Sequence, residues 1–233
     1  LRKHTILISF GSVAASIYMP YDMKVAIVDV VKSYPEVTFI WKYEEPSDSF
    51  AAGVENLFLS KWTPQVDLLA DDRLTLFVTH GGAGSMMESA SRGKPLIVVP
   101  LFGDQTRNAK LIVKFGFGIM LHKSSLLNRS ALRSAIGSIL KDTKKAANRI
   151  RDLLERRPFS PEKKLVKTIE LAAEFGGIEE LKVVGRNLGI IAYYNVDLIL
   201  VLVLLALLVI WFVLYNIKLI FKLRESNPKV KQQ

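Results

Sequence analysis

Residues 77–105 read FVTHGGAGSMMESASRGKPLIVVPLFGDQ. The run Thr75–Thr79 predicts a buried strand, His80–Gly84 a turn, Ser85–Arg92 a helix and Leu96–Val99 a second strand. Two short apolar strands joined through a helix lie parallel, so the sheet needs helices on its faces. The same alternation extends to both sides. Further strands are expected at Thr5–Phe10, Thr38–Trp41, Leu57–Ser60 and Gly118–Leu121, and further helices at Asp22–Ser33, Pro64–Ala70 and Gln105–Phe115. Such a pattern predicts a doubly wound α/β domain. Beyond residue 128 the pattern is purely helical, over Arg129–Leu140 and Thr143–Arg157. Two prolines then break the chain, and Pro161 suits the first turn of a helix that runs to Phe175 and stops at Gly176-Gly177.

Half of the 233 residues are hydrophobic, and much of the excess lies in Leu198–Tyr215, LILVLVLLALLVIWFVLY. This uncharged run is long enough to cross a bilayer, and Tyr193, Tyr194, Trp211 and Tyr215 suit its interfaces. Lys218, Lys222, Arg224, Lys229 and Lys231 follow it, whereas Glu179, Glu180 and Asp197 accompany Lys182 and Arg186 before it. Positive charge stays cytoplasmic, so the C-terminus is expected in the cytosol and the preceding domain in a lumen or outside the cell. A translocated domain has to be exported, so an upstream segment is expected before Leu1.

The formal net charge of +10 comes from two segments. Residues 141–167 hold ten Lys/Arg against four Asp/Glu, and residues 218–233 hold five against one. The first reads as solvated helix faces with some attraction to membrane lipid, the second as a topology signal. Nothing in the pattern argues for nucleic acid. The chain has no cysteine, its histidines His4, His80 and His122 are scattered, and it has no D-x-D pair. No disulfide is possible, and a metal-free site without a cofactor is expected.

Open parallel sheets bind ligands beyond the carboxyl ends of their strands, where His80–Gly84 falls. The first amides of the following helix lack intrahelical partners, and the helix dipole is positive there, so a phosphate is the natural ligand. Gly81, Gly82 and Gly84 allow close approach, while Ser85 and His80 add donors. Glu88 shares a helix face with Ser85. A carboxylate there suits a pair of ribose hydroxyls better than a phosphate. Neither a Walker A loop nor G-x-G-x-x-G is present, because Glu88, Pro95 and Met87 stand where those motifs need other residues. KWTPQ at 61–65 puts Trp62 at a strand end, where its indole can stack on a base. Ser12, in FGS at 10–12, can donate to a phosphate, and Asp104-Gln105 suit the hydroxyls of a sugar. Base, ribose, diphosphate and sugar together describe a nucleotide sugar.

W-T-P-Q followed by FVTHGGAGSMMES and GKPLIVVPLFGDQ resembles the signature of the UDP-glycosyltransferases, which include the glucuronosyltransferases. The resemblance extends over nearly the whole chain, from SFGSV through PFSPEKKLVKTIELAAEFGG to the apolar span. It implies the Rossmann-like C-terminal domain of a GT-B glycosyltransferase followed by one transmembrane helix. The implied organisation is a UDP-sugar domain over 1–176, a juxtamembrane linker over 177–195, the span over 196–217 and a basic cytosolic tail over 218–233.

Carried over residue by residue, Trp62 stacks on uracil and Gln65 borders it; Ser12, His80, Gly82, Gly84 and Ser85 meet the diphosphate. Glu88 binds the ribose, and Asp104 and Gln105 bind the sugar. Many members have asparagine where this chain has Gly84, so only backbone serves there. The family's catalytic histidine lies in an N-terminal acceptor domain. His4 is not that residue, and no catalytic base is assigned to this chain.

The implied reaction is transfer of glucuronic acid or glucose from UDP-glucuronic acid or UDP-glucose to small lipophilic acceptors, with inversion. The alternative is a non-catalytic, membrane-tethered UDP-sugar-binding partner that forms homo- or hetero-oligomers with full-length relatives. A GT-B-like epimerase fits less well, given Trp62–Gln65 and the anchor. The terminal KVKQQ resembles a dilysine retrieval signal, which implies the endoplasmic reticulum membrane, and Asn128-Arg129-Ser130 is a glycosylation acceptor pattern.

Overall fold

The computed structural model describes residue 2, residues 4–177 and residues 182–225. The chain forms two compact units, Leu1–Pro158 and Phe159–Gln233.

In the first unit, β1 (His4–Ser9) leads through α1 (Tyr21–Lys32) to β2 (Val37–Lys42) and β3 (Leu57–Ser60). Then come α2 (Gln65–Ala70), β4 (Leu74–Thr79), α3 (Ala83–Ser91), β5 (Leu96–Val98), α4 (Gln105–Lys114) and β6 (Gly118–Met120). Helices α5 (Arg129–Asp142) and α6 (Lys144–Glu155) close the unit. The strands form one sheet in the order β3-β2-β1-β4-β5-β6, and every neighbouring pair is parallel.

The sheet is covered on both faces because its strands are apolar at successive positions. Ile6 and Ile8 join a cluster with Ile27, Val28 and Val31 of α1 and Ile136 and Ile139 of α5. Leu7, between them, joins the opposite cluster with Ala109 and Ile112 of α4 and Ala147 of α6. This is the period of two along a strand, with both faces buried. Each fully buried aliphatic side chain contributes about 1.5–3 kcal/mol. Trp41 is fully buried and meets Tyr43 and Phe50 edge-on, at centroid separations of 5.8 and 5.6 Å.

Chain order reverses between β1 and β4, since β1 is followed by β2 on one side and flanked by β4 on the other. Ser9 and Thr79 are register partners at the carboxyl ends of these strands. The loops starting at Phe10 and His80 therefore leave the sheet side by side, which opens the crevice where doubly wound sheets take ligands.

Two boundaries differ from the sequence expectation in ways that affect the site. Strand β2 runs one residue further, through Lys42. Helix α3 starts at Ala83 rather than Ser85, with Gly82 as N-cap and no capping side chain.

In the second unit, α7 (Pro161–Phe175) starts as expected, with Ser160 Oγ accepting from the Lys163 N–H at 3.2 Å and Pro161 in the first turn. None of its residues is buried. A single turn, α8 (Ile190–Tyr193), precedes α9 (Val196–Glu225). Within α9, Val196–Leu223 is long and apolar enough to cross a membrane. The helix runs on to Glu225, because Leu219, Ile220 and Phe221 carry on the apolar run and no glycine or proline interrupts it. Trp211 and Tyr215, one turn apart, stack at a centroid separation of 5.5 Å, and the Asn216 amide is satisfied by donating to Phe212 O at 2.7 Å. Glu179, Glu180, and the tail from Ser226 with Lys229 and Lys231 lie outside the described residues.

Candidate functional site

A cleft of about 610 Å³ opens at the carboxyl ends of the strands, and all ten site residues expected from the sequence line it. Ser12 comes from the loop after β1, Trp62 and Gln65 from the β3–α2 junction. His80, Gly82, Gly84, Ser85 and Glu88 come from the β4–α3 junction, Asp104 and Gln105 from the start of α4.

The β4–α3 turn is built around His80. Gly11 adopts φ of +86°, and a Cβ there would stand 2.8 Å from His80 Cε1. A Cβ on Gly82 would stand 2.7 Å from His80 Nε2. The imidazole is thus packed between two backbone segments that have to lack side chains. Its Nδ1 lies 3.3 Å from Thr79 Oγ1. Burial pushes the His80 pKa below its ordinary value, against the opposing pull of Asp104.

Within α3 the Met86 N–H bonds back to Gly82 O at 3.0 Å. The amides of Ala83, Gly84 and Ser85 precede that bond and stand at the positive end of the helix. Ser85 is the third helical residue, so its hydroxyl is not a cap. A Cβ on Gly84 would meet nothing within 4 Å, so the glycine leaves open space in the cleft wall and presents only backbone.

Gln65 ties α2 to α3. Its Nε2 donates to Glu88 Oε2 at 2.7 Å and to Ser85 Oγ at 3.2 Å. This fixes the Glu88 carboxylate while its other oxygen remains for a ligand. Trp62 is 75% exposed, in contrast to the buried Trp41, so its indole is a surface platform and not core. Gln105 is buried, and its Oε1 accepts from the Leu101 and Phe102 N–H groups at 2.8 and 2.9 Å, which fixes the loop after β5. Asp104 is exposed, and its Oδ2 accepts from Asn108 Nδ2 at 2.8 Å. His4, at the first position of β1, is at the other end of the strand from the cleft.

The cleft also contains Lys42, Asp67 and Phe102, which sequence reasoning missed. The signal for Lys42 was its place: it is the last residue of β2, at the carboxyl edge of the sheet where the cleft opens. Elsewhere, Asn128 caps α5, its Oδ1 accepting from the Ser130 and Ala131 N–H groups at 3.1 and 3.2 Å. That capping role accounts for the Asn-x-Ser spacing by itself.

Residues 3–231 match the family described as UDP-glucoronosyl and UDP-glucosyl transferase. The chain belongs to this family. Among its relatives, ugt-46 of Caenorhabditis elegans, named for the UDP-glucuronosyltransferases, is 35% identical over 204 residues, covering 85% of this chain and 38% of that protein. Another from the same organism, ugt-48, is 31% identical over 236 residues, covering 99% and 44%. Human UDP-glucuronosyltransferase 1A9 is 31% identical over 200 residues, covering 84% and 37%. The chain thus spans about two-fifths of the length of these relatives, matching the C-terminal half of a UDP-glycosyltransferase.

Two solved structures share the fold. The glycotransferase of kitacinnamycin superposes with a TM-score of 0.62 at 23% identity, over 73% of this chain and 43% of that one. Os79 from O. sativa, solved in complex with UDP, gives 0.59 at 19%, over 75% and 41%. The six-stranded domain has the Rossmann-like fold of GT-B glycosyltransferases.

Proposed function

We propose that the cleft is the donor site of a membrane-bound UDP-glycosyltransferase. One observation carries this reading: every residue expected to meet a part of the nucleotide sugar, from Trp62 to Gln105, lines a single cleft at the strand-order switch. Uracil lies on Trp62 beside Gln65, the ribose hydroxyls donate to Glu88, and the sugar meets Asp104 and Gln105. The diphosphate meets Ser12, His80 and the first amides of α3, at Gly82, Gly84 and Ser85.

The reaction is direct displacement at the anomeric carbon. The hydroxyl oxygen of a small lipophilic acceptor attacks, a base from an acceptor domain takes its proton, and UDP departs with the electron pair of the broken bond. This chain supplies orientation and the electrostatic stabilisation of the departing diphosphate. It supplies no base, and the reading needs no metal. Glucuronic acid and glucose are the candidate sugars. The helix α9 anchors the protein in the endoplasmic reticulum membrane, with the donor domain lumenal and the C-terminus cytosolic.

The test is to express the chain joined to a UDP-glycosyltransferase acceptor domain in membranes. Labelled UDP-glucuronate and UDP-glucose are then compared with a phenolic acceptor. Transfer from either sugar nucleotide, lost in Glu88→Ala, is the expected result. UDP binding without transfer would favour a tethered, non-catalytic partner.

A further inference from the structure

The donor-site reading leaves a charge problem. A UDP-sugar brings a doubly negative diphosphate. Among the described residues, the cleft is lined by three carboxylates, Asp67, Glu88 and Asp104, and by one lysine, Lys42. His80 is partly buried beside them. The amides of α3 supply partial charge, but the cleft's formal balance is negative.

Lys42 stands at the phosphate end. Its side chain is 11% exposed, and its Nζ donates to Gly11 O at 3.1 Å and to Glu44 Oε1 at 2.5 Å. Gly11 in turn lies against the His80 ring and immediately precedes Ser12. The second oxygen of Glu44 accepts from the Ile17 N–H at 3.0 Å. Lys42 and Glu44 therefore hold both ends of the segment 11–17 that carries Ser12. Burial pulls the Glu44 pKa up, but the bonds from Lys42 and the Ile17 N–H outweigh it and keep the carboxyl below its usual range. An ammonium has three donors, and these two partners leave a third for a phosphate oxygen.

Resting on the donor-site reading, we propose that Lys42 is the cation that receives the donor diphosphate, held beside the phosphate loop by Glu44. The lysine carries out two tasks from one position: it fixes the loop through Gly11 O and offers its charge to the ligand. Glu44 keeps it in place when the cleft is empty, and partly neutralises it.

The experiment is calorimetric titration of the full chain in detergent, at fixed ionic strength, with UDP and with uridine, which has no phosphate. Lys42→Met should weaken UDP binding about ten- to a hundredfold, the range for a hydrogen bond to a charged group, and change uridine by no more than about twofold. Lys42→Arg should keep most of the affinity. Glu44→Gln keeps an oxygen for the Ile17 N–H but removes the neutralising charge, so it should tighten UDP about two- to fivefold. A lysine that served only as a strut for the loop predicts the opposite sign for Glu44→Gln. Weaker UDP binding in Glu44→Gln, or equal losses for UDP and uridine in Lys42→Met, would overturn the proposal. If Lys42→Met does not fold, Glu44→Gln and Lys42→Arg decide it. A wild-type chain that ignores UDP refutes the donor-site reading and this proposal together. UDP binding that survives Lys42→Met unchanged refutes this proposal alone.

Discussion

Replacing Glu88 by alanine tests the geometry of the cleft most finely. The carboxylate is held by Gln65 through Oε2, which leaves Oε1 for the ribose hydroxyls. A hydrogen bond to a charged group is worth about 1.5–3 kcal/mol. Glu88 is partly exposed, so two such bonds are taken together as about 1.5–3 kcal/mol, or ten- to a hundredfold in Kd. One effect acts in the opposite direction: removing a carboxylate from a site that holds a diphosphate favours binding. The measured loss is therefore a lower bound on the ribose contribution. Calorimetry with UDP and 2′-deoxy-UDP, on wild type and Glu88→Ala, completes a cycle. If Glu88 binds the ribose, 2′-deoxy-UDP binds wild type more weakly than UDP does, and Glu88→Ala narrows that gap. If Glu88→Ala weakens both ligands equally, the residue acts through Gln65 and the reasoning fails.

Trp62→Ala should weaken UDP and uridine alike by about tenfold, through lost stacking, and should leave the melting temperature unchanged because the indole is 75% exposed; unchanged uridine affinity would remove the base platform. Burial lowers the His80 pKa, so in the free protein the ring is less protonated than an exposed histidine at the same pH. A diphosphate raises that pKa, so UDP binding near pH 6 should take up protons, read as a dependence of binding heat on the buffer's ionisation enthalpy, and proton release would contradict this placement. The chain expressed in cells should resist extraction from membranes by alkaline carbonate, and a truncation before Val196 should be released; release of the full chain would show that α9 does not span.

Much of this arrangement was legible in the sequence, for identifiable reasons. The strands are short apolar runs bounded by turn residues, so every one of the six was located to within about a residue of its ends. That a cleft opens at the carboxyl edge followed from the parallel sheet alone. What escaped depends on contacts between distant residues or on weak local signals. Helix α3 starts at Ala83 because backbone geometry, not a capping side chain, starts it, and Gly-Ala-Gly reads as a turn. Lys42 looked like the polar residue after a strand, yet it is buried by a partner two residues on and by Gly11, 31 residues away. The bond from Gln65 to Glu88 joins residues 23 apart and carries no sequence signature. Gln105 read as a sugar ligand, but half of its amide is committed to the Leu101 and Phe102 backbone, which only the folded loop reveals.

The central claim is that this cleft binds UDP. Titrating UDP into the purified chain by calorimetry, with the Trp62→Ala/Glu88→Ala double variant as the comparison, tests it most directly. The account predicts saturable one-to-one binding by wild type, weak because an isolated half leaves the diphosphate solvated, and no measurable saturation by the folded double variant. No saturation by wild type, or the same isotherm from both proteins, would contradict it.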